Sequence, residues 1–323
     1  MIPLPLPQQR IADTTMKIVI TEFMDEPAVE SLRARFDVTY DPTLVDSNDS
    51  LRAALTDAVA LIVRNRTQVR GALLAAGTRL EVVGRLGVGL DNIDVDACER
   101  RGIAVIPATG ANALAVAEYV IGTALLLLRG AYGSTAAVAA GKWPRGALSN
   151  GREIAGKTLG LIGFGGIGRL TAGLARGLGM RVIGCDAMVA ATDPAWTAAG
   201  VTPLALDGVL RQADVVSLHV PLNAQTRNLI DAGRIDLMKT DAILINTARG
   251  GVVDEAALVA ALKAGRLGGA ALDVFDAEPL AAGSPLADAP KLLLTPHIAG
   301  VTRESNARVS TMIAERVAAA LSP

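Results

Sequence analysis

A chain of 323 residues is long enough for two domains and a large buried core. Its formal net charge of −1 advertises no basic surface for nucleic acid, and its two cysteines, neither in a C-x-x-C, exclude a disulfide framework and point to a reducing cytoplasm. Apolar residues make up 51% but aromatics only 3%, so the core is Ala, Val, Leu and Ile, as in α/β proteins with buried parallel strands.

Residues 1–15, with three prolines in the first seven, read as a disordered extension or an over-long start, with Met16 as the true beginning. No cationic stretch followed by an apolar one opens the chain, so secretion is not expected. Strands follow at 17–20, 37–40, 58–63, 80–85 and 103–106, with helices at 27–35 and 49–55, a first parallel α/β layer. Residues 112–129 form one long apolar helix between two α/β patterns. Its apolar run 119–128 is too short to span a bilayer and is flanked by Glu118 and Arg129, so no membrane partner is expected. After a Gly-, Pro- and charge-rich loop at 141–156, a second α/β pattern has strands at 158–162, 180–185, 214–218, 242–246, 269–273 and 292–295. A helix at 255–264 ends on Gly265, and a final amphipathic helix spans 302–321.

Between the strand at 158–162 and a helix at 167–178 lies Gly163-Phe164-Gly165-Gly166-Ile167-Gly168. In such a G-x-G-x-x-G the first glycine permits a tight turn, the second lets backbone approach a pyrophosphate, and the third lets helix pack on strand. The pyrophosphate would rest on the positive end of the helix dipole. Asp186, 18 residues past Gly168 at the end of the next strand, can accept hydrogen bonds from an adenosine ribose. Asp186 would repel the 2′-phosphate of NADP, and residues 187–189 supply no arginine to attract one, so the expected cofactor is NAD. No metal-ligand cluster is present in the sequence, and hydride transfer needs none.

Ligands of open parallel sheets collect beyond the carboxyl ends of the strands. Five of those ends carry reactive or glycine-rich segments: Gly87-Val88-Gly89, His219-Val220-Pro221, Thr247-Ala248-Arg249, Asp273 to Glu278, and Pro296-His297 to Gly300. With G-V-G-L-D-N-I-D, L-G-L-I-G-F-G-G-I-G, H-V-P-L, I-N-T-A-R-G-G-V-V-D, A-L-D-V-F-D-A-E-P and T-P-H-I-A-G in this order, the chain resembles the D-isomer-specific 2-hydroxyacid dehydrogenases, the group that includes phosphoglycerate dehydrogenase. The resemblance runs from about Met16 to the C-terminus. It implies two doubly wound parallel-sheet domains, a Rossmann NAD domain (112–296) inserted into a split flavodoxin-like substrate-binding domain (16–111 and 297–323).

The resemblance also implies roles. Arg249 would bind the substrate carboxylate and polarise the carbonyl, His297 would be the acid/base, and Glu278 would orient the imidazole. Their chemistry suits this, since a guanidinium fork matches a carboxylate and an imidazole exchanges protons near neutral pH. The backbone of Val88 and Gly89 would hold the substrate carboxylate. Cofactor contacts would come from Gly163, Gly165, Gly166, Ile167, Gly168, Asp186, His219, Pro221, Thr247, Ala248, Arg249, Asp273, His297 and Gly300. The implied assembly is a homodimer, with the helix at 112–129 as a candidate surface.

One departure bears on the substrate. Where phosphoglycerate dehydrogenases usually carry one arginine followed by small residues, this chain has Arg64-Asn65-Arg66-Thr67. Arg64 and Arg66 could bind a second anion at carbon 3, a carboxylate, phosphate or sulfonate. That segment, with Thr21-Glu22-Phe23-Met24-Asp25-Glu26, looks most like bacterial sulfolactate dehydrogenases, so 3-sulfolactate/sulfopyruvate is the first expectation. 3-Phosphoglycerate, malate, glycerate and lactate are the alternatives. The sequence ends soon after the last helix, so serine feedback through a C-terminal regulatory domain is not expected. An NAD-sensing corepressor of the same fold is the reading from a different class. The presence of Arg249, Glu278 and His297 together favours the enzyme, and Glu278 argues against a formate dehydrogenase, where a glutamine partners the histidine.

Overall fold

The computed structural model describes residues 16–322, and the expectation for residues 1–15 lies outside them. The chain divides into two units, one ending at Asn112 and resuming at Arg303, the other Ala113–Thr302.

The first unit has five parallel strands, β1 (Lys17–Ile20), β2 (Asp37–Tyr40), β3 (Ala60–Val63), β4 (Val82–Arg85) and β5 (Ala104–Pro107), in the order β2-β1-β3-β4-β5. Its helices are α1 (Glu26–Arg33), α2 (Asn48–Leu55), α3 (Gly71–Ala76), α4 (Val95–Arg100) and, from the end of the chain, α12 (Arg303–Ala320). Successive strand residues face opposite sides, which builds two cores on one sheet. Ile18, Ile20 and Ile62 pack with Val29 and Leu32 of α1 and Ile313 and Val317 of α12. Val19, Leu61 and Val63 pack with Leu51, Leu55, Leu74 and Cys98.

The second unit has seven parallel strands, β6 (Thr158–Ile162), β7 (Arg181–Cys185), β8 (Thr202–Pro203), β9 (Val215–Leu218), β10 (Ile243–Asn246), β11 (Gly269–Leu272) and β12 (Leu292–Leu294), in the order β12-β11-β10-β9-β6-β7-β8. Helices α5 (Ala113–Arg129), α6 (Thr135–Ala139), α7 (Gly166–Gly177), α8 (Pro194–Ala198), α9 (Leu206–Gln212), α10 (Ala232–Leu237) and α11 (Glu255–Lys263) complete it. The long apolar helix α5 belongs to this unit. Its Val120, Ala124 and Leu128 share a core with Ala172 and Ala175, the small face of α7. No single helix among the described residues is long and apolar enough to cross a membrane.

Both sheets are doubly wound, as the resemblance implied. The strand order reverses between β1 and β3 in the first unit and between β6 and β9 in the second. At such points adjacent loops run to opposite faces and leave a crevice beyond the strand ends. The strands expected from 58 and from 80 begin later, at Ala60 and Val82, because Ala58 and Leu80 close turns onto Leu55 and Gly77. Helices α3, α4, α8, α9 and α10 are too short for apolar periodicity to mark them individually. Gly265 does end α11, at φ +68°, with Arg266 N–H returning to Ala261 O.

Candidate functional site

The glycine loop follows β6, at the point where the strand order of the second unit reverses toward β9. Gly163 stands at φ +101°, and a Cβ there would lie 2.5 Å from His219 O. A Cβ on Gly168 would lie 2.5 Å from Gly163 O, which is why the third glycine allows helix and strand to meet. Gly165 and Gly166 differ: a Cβ on either would meet nothing within 4 Å, so open space lies over them. Gly165 is the N-cap of α7 and has no side chain to cap it, so the first-turn amides face that space. Such a cradle fits a pyrophosphate.

Asp186, directly after β7, is half-buried. Its Oδ2 accepts from Phe164 N–H at 2.6 Å, and its Oδ1 accepts from Met188 N–H at 2.7 Å and Val189 N–H at 3.2 Å. The carboxylate therefore holds the glycine loop. Beneath the loop, Phe164 stacks on the buried Trp196 with ring centroids 3.9 Å apart. His219 donates its backbone N–H to Ile162 O and pairs its Nε2 with Ser217 Oγ at 3.0 Å. Burial pushes its imidazole down to about 4, so it is neutral at physiological pH. Pro221 continues the same strand end and accepts from Thr226 Oγ1 at 2.6 Å.

Beyond β10, the buried Asn246 staples the loop that carries Thr247, Ala248 and Arg249. Its Oδ1 accepts from Ala248 N–H at 3.0 Å and its Nδ2 donates to Arg249 O at 2.9 Å. The Thr247 hydroxyl is buried with no hydrogen-bond partner among the described residues, an orphan that a cofactor group would satisfy. Arg249 is half-buried and donates from one guanidinium nitrogen to Ala248 O at 2.7 Å.

His297 and Glu278 meet at the ends of β11 and β12, with Nδ1 and Oε2 2.8 Å apart. A carboxylate only accepts, so Nδ1 carries the proton of this bond and Nε2 is left for other chemistry. Glu278 Oε1 accepts from Phe275 N–H at 3.1 Å, which fixes the carboxylate plane. His297 sits at φ +54°, a conformation rare outside glycine. The buried Asp273 imposes it: Oδ1 accepts from Thr295 Oγ1 at 2.6 Å and Ile298 N–H at 2.9 Å, and Oδ2 from Ala299 N–H at 2.8 Å. Tyr119 of α5 extends the chain of bonds, its hydroxyl 2.5 Å from that of Thr295. Gly300 closes the loop. Sequence reasoning does not single out Asn246, Thr295 or Tyr119; for Asn246 and Thr295 the available signal is a polar residue at the end of an apolar strand, and Tyr119, inside α5, offers none.

The first unit holds the other candidates. Arg64 is half-buried, donates to Asn306 Oδ1 at 2.9 Å and lies 5.9 Å from the Phe23 ring centroid. Arg66 is exposed and ion-paired with Asp46. The two arginines thus have different partners, and the chain bends at 65–67 rather than continuing the strand. Beyond β4, the amides of Val88 and Gly89 donate to no acceptor among the described residues. Asn92, five percent exposed, ties this loop to the arginine segment through Thr67 O at 2.8 Å.

Residues 121–299 match the family described as D-isomer specific 2-hydroxyacid dehydrogenase, NAD binding domain. The chain is 54% identical over 305 residues to the (S)-sulfolactate dehydrogenase of Chromohalobacter salexigens, covering 94% of this chain and 98% of that protein. It is 36% identical to the D-3-phosphoglycerate dehydrogenase of Archaeoglobus fulgidus over 94% of its own length, but spans only 56% of that protein. Its fold is similar to the crystal structure of the TT0316 protein from Thermus thermophilus, with TM-score 0.85, 34% identity, and coverage of 95% of this chain and 97% of that one.

Proposed function

The chain belongs to the D-isomer-specific 2-hydroxyacid dehydrogenases, and we propose that it interconverts 3-sulfolactate and sulfopyruvate with NAD. The observation that carries the substrate is the 54% identity to an (S)-sulfolactate dehydrogenase across nearly the whole of both chains. The reaction class, an NAD-dependent oxidation of a CH–OH group, follows from the family itself.

The nicotinamide cofactor, when bound, would supply the hydride acceptor for oxidation as NAD+ and the donor for reduction as NADH. In our reading the open space over Gly165 and Gly166, the first turn of α7, Asp186 and the orphan hydroxyl of Thr247 hold it. Arg249 anchors the substrate carboxylate and draws electron density from the carbonyl oxygen. His297 Nε2 takes the hydroxyl proton as the hydroxy acid is oxidised and returns it to the carbonyl oxygen on reduction. Glu278 holds Nδ1 so that the imidazolium formed is paired with a carboxylate at 2.8 Å. The Val88 and Gly89 amides add to carboxylate binding, and Arg64 and Arg66 read the carbon-3 anion.

The same reading includes a homodimer built on the second unit. Leu114, Leu125 and Leu126 of α5 are exposed, as are Tyr132, Val138 and Trp143 just beyond it, and a second copy would cover them. Sedimentation as a monomer would remove that part. We place the enzyme in the cytoplasm, on the strength of the unpaired Cys98 and Cys185.

The test is a panel of 2-keto acids with NADH: sulfopyruvate, phosphohydroxypyruvate, oxaloacetate, hydroxypyruvate, glyoxylate and pyruvate. Sulfopyruvate should give the highest kcat/KM. A preference for phosphohydroxypyruvate would replace the substrate and keep the reaction.

A further inference from the structure

We infer that Glu22 is a positioning residue for substrate recognition, a buried carboxylate that fixes where the loop 64–67 presents its arginines. This rests on the dianionic-substrate reading above. Glu22 lies two residues past β1, and the loop follows β3, so both stand at the point where the strand order of the first unit reverses.

The carboxylate is 5% exposed and accepts from four successive backbone amides. Oε1 takes Arg64 N–H at 2.9 Å and Thr67 N–H at 3.0 Å, and Oε2 takes Asn65 N–H at 3.2 Å and Arg66 N–H at 3.0 Å. Consecutive amides turned toward one anion make a concavity with fixed positive character. A carboxylate alone among side chains offers acceptors at both ends; a glutamine in its place would aim an N–H pair at two of the four donors. The amide bonds hold the Glu22 carboxyl below the usual range even though burial opposes this. From the other side, Asn92 Nδ2 donates to Thr67 O at 2.8 Å and to Arg64 O at 3.4 Å, and Thr21 and Thr67 hydroxyls meet at 2.8 Å. Both edges of the loop backbone are thus pinned before any ligand arrives.

What remains movable is the arginine side chains, and these differ. Arg66 is already paired with Asp46, whereas Arg64 forms no ion pair with a carboxylate among the described residues and is steadied by Asn306 and Phe23. Because Asn92 belongs to the segment that follows Val88 and Gly89, Glu22 and Asn92 together set the spacing between two anion-binding elements of one unit. A keto acid with a second anion at carbon 3 needs that spacing, and one without it does not.

Full-length Glu22→Gln and Asn92→Ala enzymes are assayed with NADH on sulfopyruvate and on pyruvate, which lacks the carbon-3 anion. Glu22→Gln is expected to lower the sulfopyruvate-to-pyruvate ratio of kcat/KM by about tenfold or more, chiefly through KM. NADH affinity, followed by tryptophan fluorescence, should hold, since Trp143 and Trp196 both lie in the second unit. Asn92→Ala should move the ratio the same way and gives the reading if Glu22→Gln does not fold. A ratio unchanged in both variants, with only thermal stability reduced, overturns the inference and leaves Glu22 a structural group. A wild-type enzyme that reduces pyruvate as well as sulfopyruvate, phosphohydroxypyruvate and oxaloacetate overturns the substrate reading, and the inference with it.

Discussion

Replacing Glu278 by glutamine preserves size and sets a choice the side chain cannot satisfy. In the native protein one carboxylate oxygen receives His297 Nδ1–H at 2.8 Å and the other receives Phe275 N–H at 3.1 Å. If the glutamine oxygen turns to His297, its NH2 group confronts the Phe275 N–H. If the NH2 turns to His297, Nδ1 must accept, and the proton moves to Nε2, where the substrate proton should be taken. Either way the imidazolium loses its counter-charge. A hydrogen bond to a charged group contributes about 1.5–3 kcal/mol. The side chains of His297 and Glu278 are 45% and 36% exposed, so solvent screens the pair. A discounted loss is about 1–2 kcal/mol, or roughly five- to thirtyfold in kcat/KM for keto-acid reduction. Steady-state oxidation of NADH measures this, with NADH affinity as the control. Glu278→Asp should recover part of the loss and His297→Ala should exceed it, at about 10²–10⁴-fold. Glu278→Gln turnover within about twofold of wild type would refute the proposed dyad.

Asp186→Ser should lower the preference for NAD over NADP by about tenfold or more in kcat/KM, and it should also weaken both cofactors, because Phe164 N–H loses its acceptor; an unchanged ratio removes the ribose role. Asp273→Asn leaves one of three donors facing an NH2 group, a cost of about 1–3 kcal/mol in a buried site. Its kcat should fall with the loss of the His297 backbone geometry, and a kcat equal to wild type would show that Asp273 does not position that loop. His219 is held neutral, near 4 against an ordinary value of 6.5. The unfolded chain binds a proton over that window that the folded chain does not, so stability present above pH 6.5 declines as pH falls toward 4, by at most about 3 kcal/mol. Thermal denaturation of His219→Gln should show a shallower acid decline than wild type; parallel curves would refute the assignment.

The architecture was legible because apolar strands at regular intervals leave one arrangement, two parallel sheets, and the six motif segments fell at strand ends. The packing roles of Gly163 and Gly168 were legible too, since a Cβ on either would meet backbone at 2.5 Å. Other features needed coordinates. Arg64 and Arg66 have the same chemistry, and only packing separates a half-buried group steadied by Asn306 from an exposed one paired with Asp46. Asn306 lies 242 residues from Arg64, a distance no local pattern bridges. Glu22 stands in the quoted segment 21–26, yet nothing local distinguishes it from Glu26, which is exposed and pairs with Arg33.

A common device links these carboxylates. Glu22 after β1 holds the amides of the loop after β3, Asp186 after β7 holds Phe164 in the loop after β6, and Asp273 after β11 holds Ile298 and Ala299 after β12. Each of those strand pairs is adjacent in its sheet. A parallel sheet delivers neighbouring loops to the same edge without joining them, and loop amides freed from the ladder need acceptors. An acidic residue just past a strand meets that need and ties one loop to the next. The consequence is that alanine at Asp186 or Asp273 removes a loop staple together with the cofactor contact proposed there, so a loss of activity alone does not assign either role. Asparagine at Asp273 leaves part of its staple in place, whereas serine at Asp186 keeps one side-chain oxygen near the turn to Met188 and gives up the bond to Phe164. It is the change in the NAD-to-NADP ratio, rather than the size of the loss, that isolates contact with the cofactor.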